Sequence, residues 1–74
     1  MIETIREMLS GILGREMPPL TPQTPFEDLP GWDSVVHLSI LMEAERRFGL
    51  SLTAAQMIGM KTVGDLLALL EAKP

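Results

Sequence analysis

Gly31-Trp32-Asp33-Ser34-Val35-Val36-His37-Leu38-Ser39-Ile40-Leu41-Met42-Glu43-Ala44-Glu45-Arg46-Arg47-Phe48-Gly49 is the stretch whose pattern decides the fold. From Ser34 to Phe48 apolar residues return at intervals of three and four, the period of a helix with one buried side. Asp33 or Ser34 is placed to cap its start, and Gly49, followed by apolar Leu50, to end it in a left-handed turn. At about 100° per residue, Leu38, Ile40, Leu41, Ala44 and Phe48 gather on one broad face, read as core. Val36, Ser39, Glu43, Arg46 and Arg47 gather opposite, with Val35 and Met42 at the margin. Apolar groups set among charges beside a helix N-terminus describe a small docking surface better than a solvated face.

Upstream, Ile2, Ile5, Met8, Leu9, Ile12 and Leu13 recur at helical spacing, so residues 2–13 are predicted to form a first helix that Gly14 ends. Between Arg15 and Asp33 stand Pro18, Pro19, Pro22, Pro25 and Pro30, which exclude a continuous helix. A loop of this length in a small domain is expected to be functional and ordered. Thr24-Pro25-Phe26-Glu27 has the form of a capping box with proline at the first helical position, predicting a short turn that tucks Phe26 and Leu29 inward.

Downstream, Thr53-Ala54-Ala55-Gln56 is a second capping box, opening a short helix that Gly59 closes. Thr62-Val63-Gly64-Asp65 repeats the device at the head of a last helix whose buried face is Val63, Leu66, Leu67, Leu69 and Leu70, with Gly64 weakening its first turn. The expected fold is all-α: a small bundle of three main helices plus a short one, with a long ordered loop before the second helix. Residues 1–74 read as a single domain, with Met1 and Ala72-Lys73-Pro74 expected to fray.

Composition narrows the function. Hydrophobic residues make up 46% of the 74, yet Trp32, Phe26 and Phe48 are the only aromatics, so Leu, Ile, Val and Met must build the core. The chain has no cysteine, which excludes disulfides and thiolate metal sites and means that any thiol chemistry needs a thiol from outside. A net charge of −4 argues against nucleic-acid binding. Neither a signal peptide nor a membrane span is legible, so a cytoplasmic monomer away from membranes is expected. No Lys or Arg lies between Arg15 and Arg46, while Glu16, Glu27, Asp28, Asp33, Glu43 and Glu45 do, giving an acidic middle suited to partners with basic docking surfaces.

Ser34 opens the second helix, where unpaired backbone N–H groups and the helix dipole favour a negative group, so a phosphodiester on its hydroxyl would be well placed. Taken alone, Asp-Ser ahead of an apolar run is an ordinary cap. The wider pattern adds weight, because the chain resembles the acyl carrier protein family along nearly its whole length. Phe26-Glu27-Asp28-Leu29 is similar to that family's turn ahead of the site, and Gly31-Trp32-Asp33-Ser34-Val35 to its attachment motif, Gly-x-Asp-Ser-Leu. Glu43-Ala44-Glu45-Arg46-Arg47-Phe48-Gly49 resembles its glutamate-rich stretch ending in Phe, and Thr62-Val63-Gly64-Asp65-Leu66 its Thr-Val-x-Asp-Leu motif.

The resemblance implies that Ser34 receives 4'-phosphopantetheine from coenzyme A through a separate metal-dependent phosphopantetheinyl transferase, with Asp33 as part of the motif. It implies a carrier and not an enzyme: acyl groups ride as thioesters on the arm's thiol and are presented to an acyltransferase, adenylating ligase or ketosynthase. Val35 departs mildly from the usual leucine. Val36, Ser39 and Arg46 stand where carriers of fatty acid synthesis often have acidic residues, which points away from general fatty acid synthesis. The Gly31-Trp32-Asp33-Ser34 form is more similar to discrete carriers of polyketide or other specialised pathways, a step made by analogy. Candidate docking residues are Val35, Val36, Ser39, Met42, Glu43 and Arg46. An aminoacyl or peptidyl carrier is a close variant, though such carriers more often have Gly-Gly-x-Ser, and an unmodified carrier-like docking module is an alternative of another class.

Trp32 reads equally as a contact for the transferase or arm and as an apolar lid over the bundle end. His37 falls near the core edge and reads as structural, since no nucleophile or second histidine accompanies it. Met42, Met57 and Met60 read as core filler in preference to the lining of a cleft that admits an acyl chain. Arg46 and Arg47 read as solvated.

Overall fold

Gly14 takes a left-handed conformation, φ 69°, and the first helix stops there. The computed structural model describes residues 1–72. It arranges them as α1 (Ile2–Leu13), a 3-10 turn (Phe26–Asp28), α2 (Ser34–Phe48), α3 (Ala54–Ile58) and α4 (Val63–Ala72). This is the all-α bundle of three main helices and a short one that the sequence predicts. An isolated backbone bridge joins Pro25 to Thr62. Met1 still accepts the Ile5 N–H on its carbonyl, Ala72 is within α4, and the fraying expected at Lys73 and Pro74 lies outside the described residues.

The core forms where the helical faces meet. Ile5, Met8 and Leu9 come from α1, Ile40, Leu41 and Ala44 from α2, and Val63 and Leu66 from α4. The proline-rich loop is part of this core, since it contributes Met17, Phe26 and Leu29, all buried. Such a loop must satisfy its backbone polar groups, and it does so against both neighbouring helices. Arg6 on α1 donates to the Met17 carbonyl, with Nε at 3.0 Å, and the Met17 N–H donates to Ser10 Oγ. At the other end the Phe26 N–H donates to Lys61 O, the Val63 N–H to Thr24 O and the Gly64 N–H to Pro22 O.

Four expectations change. Thr24 does not cap the turn before α2: its Oγ1 accepts the Thr21 N–H instead, and the turn, only three residues long, is entered from Pro25 with no side-chain cap. Leu38 is 52% exposed although read as core. It lies well off the line through Ile40, Ala44 and Phe48, so a face drawn that broadly overreached. Val36, read as outward, is half-buried and packs against the core, whereas Met42, read as filler, is exposed.

The capping boxes at α3 and α4 are both present. Thr53 Oγ1 accepts the Gln56 N–H while Gln56 Oε1 accepts the Thr53 N–H. Asp65 Oδ2 accepts the N–H groups of Lys61 and Thr62, and Thr62 Oγ1 accepts the Asp65 N–H. The backbone hydrogen bond from Lys61, and then that from Thr62, hold the Asp65 carboxyl below its ordinary pKa. A lowered folded-state pKa contributes stability that is present above the unfolded value and lost as pH falls through the folded one. Asp65→Ala should therefore cost about 1 kcal/mol near neutral pH. In urea titrations at a series of pH values, the gap between wild type and variant should close in acid; a constant gap would show that the charge contributes nothing.

Candidate attachment site

Asp33 has extended backbone, and its Oδ1 accepts the Val36 N–H at 2.8 Å, which makes it the cap of α2 and Ser34 the first helical residue. Ser34 is exposed. Among the described residues the Ser34 and Val35 N–H groups have no protein acceptor, so the start of α2 presents two open donors with the positive end of the helix dipole. Gly31 has φ 82°, a left-handed conformation that turns the chain into the motif. The Arg15 guanidinium lies 3.6 Å from the position a Cβ at Gly31 would occupy. Sequence order hid this approach of a cation to the motif.

Trp32 is half-buried and packs on the core cluster, as a lid would. Its indole Nε1–H donates to His37 Nδ1 at 3.2 Å, and the two rings meet edge to face with centroids 5.5 Å apart. Phe26 also meets His37 edge to face, again with centroids 5.5 Å apart. His37 thus packs against two aromatic rings at the core edge. Beside it a cleft of about 300 Å³ is walled by Phe26, Trp32, Ser34, His37, Met57 and Met60. Met57 and Met60 line this cleft, and Met42 does not.

Outward from Ser34, α2 exposes Val35, Leu38 and Met42, spaced to share one face, and α3 exposes Ile58. Ser39 is exposed as expected. Glu43 is drawn into ion pairs with Arg46 and Arg47, and the hydrogen bond from Arg46 holds its carboxyl below the ordinary carboxylate range. Glu45 accepts the Leu52 N–H and Glu16 lies 3.6 Å from Arg6. The acidic middle of the sequence is therefore largely engaged within the protein. Of its carboxylates, Glu27 and Asp28 in the 3-10 turn are exposed with no ion-pair partner among the described residues.

Residues 3–70 match the family described as phosphopantetheine attachment site. Over 71 residues the chain is 34% identical to an acyl carrier protein of Streptococcus pyogenes, covering 96% of this chain and 92% of that one. The chain belongs to the acyl carrier protein family. It is also 29% identical to the meromycolate extension acyl carrier protein of Mycobacterium tuberculosis, over 95% of this chain and 61% of that longer one. The solution structure of a holo acyl carrier protein from Geobacter metallireducens shares the fold, with a TM-score of 0.84 at 22% identity, over 97% of this chain and 83% of that one.

As an acyl carrier protein the chain is a carrier and not an enzyme, and its cofactor is covalently attached 4'-phosphopantetheine. The residues fit that group: an exposed hydroxyl at a helix start, two open N–H donors beside it, and an adjoining cleft. Trp32, Asp33 and Ser34, consecutive in the chain, stand at the start of α2, and Trp32 and Ser34 line the cleft. The fold adds Leu38, Ile58, Arg15 and Lys61 to the surroundings, none of them singled out from sequence. Leu38 was recoverable from its spacing with Val35 and Met42, whereas Arg15 and Lys61 approach through tertiary packing that leaves no local signal. No helix among the described residues is long and apolar enough to cross a membrane.

Proposed function

We propose that Ser34 bears the phosphopantetheine arm and that this acyl carrier protein serves polyketide or other specialised biosynthesis. The observation that supports the site most is the exposed Ser34 hydroxyl at the capped start of α2, with Asp33 occupied in capping. When attached, the arm supplies a terminal thiol that holds an acyl group as a thioester. Asp33 caps α2 through Oδ1 and His37 accepts the Trp32 indole N–H at Nδ1; the base that takes the Ser34 proton is assigned to the phosphopantetheinyl transferase.

The surface beside Ser34 supports a specialised partner set. Val35, Leu38, Met42 and Ile58 present an apolar stripe, and Glu43 is neutralised by its own arginines. Partners that read α2, an acyltransferase, adenylating ligase or ketosynthase, would recognise this face by apolar contact more than by charge. The match to a carrier named for meromycolate extension points the same way. Ser39 and Arg46 stand at the rim of the stripe, with Arg46 held by Glu43.

Incubation with a broad-specificity transferase and coenzyme A should add the mass of one phosphopantetheine to the wild type and none to Ser34→Ala. A gain on that variant would move the site elsewhere. Leu38→Glu, at an exposed position, should leave the circular dichroism melt unchanged while slowing acyl transfer from the partner enzyme about tenfold or more, the effect of burying an unpaired charge in an interface. Unchanged transfer would remove the stripe from the docking surface.

A further inference from the structure

We propose that Trp32 and His37 form a docking subsite for the near, pantoyl end of the arm, in which His37 Nε2–H donates to the arm's first amide carbonyl. The inference rests on attachment at Ser34 and adds a role for two residues that attachment itself does not use.

The tautomer follows from one hydrogen bond. The indole N–H of Trp32 can only donate, so His37 Nδ1, 3.2 Å away, must accept and carry a lone pair. A neutral imidazole has one N–H, and it is therefore on Nε2. Phe26 and Trp32 both pack edge to face on the ring and restrict its orientation. Among the described residues Nε2–H has no protein acceptor, and no buried side-chain nitrogen or oxygen lacks a partner. Nε2 is therefore accessible from outside the core.

The opening that His37 lines is the cleft it shares with Ser34. Residues three apart on a helix have Cβ atoms about 5–6 Å from each other, so Ser34 and His37 are neighbours on α2. A cleft of about 300 Å³ suits a segment of the arm and not its full length. The pantoyl unit comes first after the phosphate, and its chemistry matches the walls: geminal methyls for the half-buried Met57 and the exposed Ile58, and an amide carbonyl for a fixed N–H donor. Lys61, also on the wall, is an exposed flexible cation and offers no such fixed direction. A donor locked before the arm arrives loses little freedom when it binds. Without the indole N–H, the imidazole would divide its proton between the two nitrogens.

The test is nuclear magnetic resonance on the unloaded and the phosphopantetheine-loaded full chain, with loading checked by intact mass. Unloaded wild type should show the Nε2–H tautomer in its histidine ¹⁵N correlations, and Trp32→Phe a mixture of tautomers. Loading should shift the His37 Nε2 signal and give NOEs from the geminal methyls to Met57 and Ile58. Those NOEs should be lost in loaded His37→Phe, which keeps a ring beside Phe26. A loaded wild type without the NOEs, an Nδ1–H tautomer, or NOEs undiminished in His37→Phe would overturn the subsite while leaving attachment at Ser34 standing. Absence of any mass gain would overturn the attachment, and the subsite with it.

Discussion

Phe26→Ala is expected to leave the domain largely unfolded or loosely packed at physiological temperature. The ring is 1% exposed and is the largest side chain of the core, carried there by a loop and not by a helix. Truncating a buried phenylalanine costs about 3–5 kcal/mol. Native domains hold roughly 0.05–0.15 kcal/mol per residue, so for a chain this short the loss takes much or all of the margin. The damage would not stay local, because Phe26 packs on His37 and its N–H is tied to Lys61 O at the entry to α4. Urea unfolding followed by circular dichroism should show a steep fall in midpoint, with a smaller slope if the native state has loosened. A loss below about 1 kcal/mol would mean that the loop is not an integral part of the core.

Gly64→Ala should destabilise, although glycine to alanine inside a helix is ordinarily worth up to about 1 kcal/mol in favour of alanine. A Cβ at Gly64 would lie 2.6 Å from the Pro22 carbonyl oxygen and 3.2 Å from Pro22 Cβ. The same oxygen accepts the Gly64 N–H at 2.8 Å, so it cannot withdraw without breaking the tether between the loop and α4. Overpacking of this kind costs about 1–3 kcal/mol, enough to reverse the sign. Gly11 in α1 is the internal contrast, since a Cβ there meets nothing within 4 Å and Gly11→Ala should stabilise. Thermal melts of the two variants should move in opposite directions; a shift in the same direction would refute the close-approach argument.

These two positions also show how far the sequence could be read. Helix bounds were legible because they depend on local chemistry: Gly14 and Gly49 at left-handed ends, Thr53 and Thr62 in capping boxes, Asp33 before the apolar run. The weakness assigned to Gly64 was a local reading too, and it missed the Pro22 carbonyl that makes glycine necessary there. Thr24 shows the same limit, since its capping signature was intact but Oγ1 found a partner in Thr21. At the site, the motif and the edge position of His37 were legible. The Trp32–His37 hydrogen bond and the approach of Arg15 to Gly31 depend on side-chain directions that spacing alone leaves open.

We propose that the arm is joined at the Ser34 hydroxyl. Intact-mass measurement of the chain produced with and without a phosphopantetheinyl transferase, followed by fragmentation of the peptide that holds residues 31–36, tests it most directly. The mass should rise by one phosphopantetheine, with every fragment containing Ser34 carrying it. A gain located on any other residue, or no gain with several transferases, would contradict it.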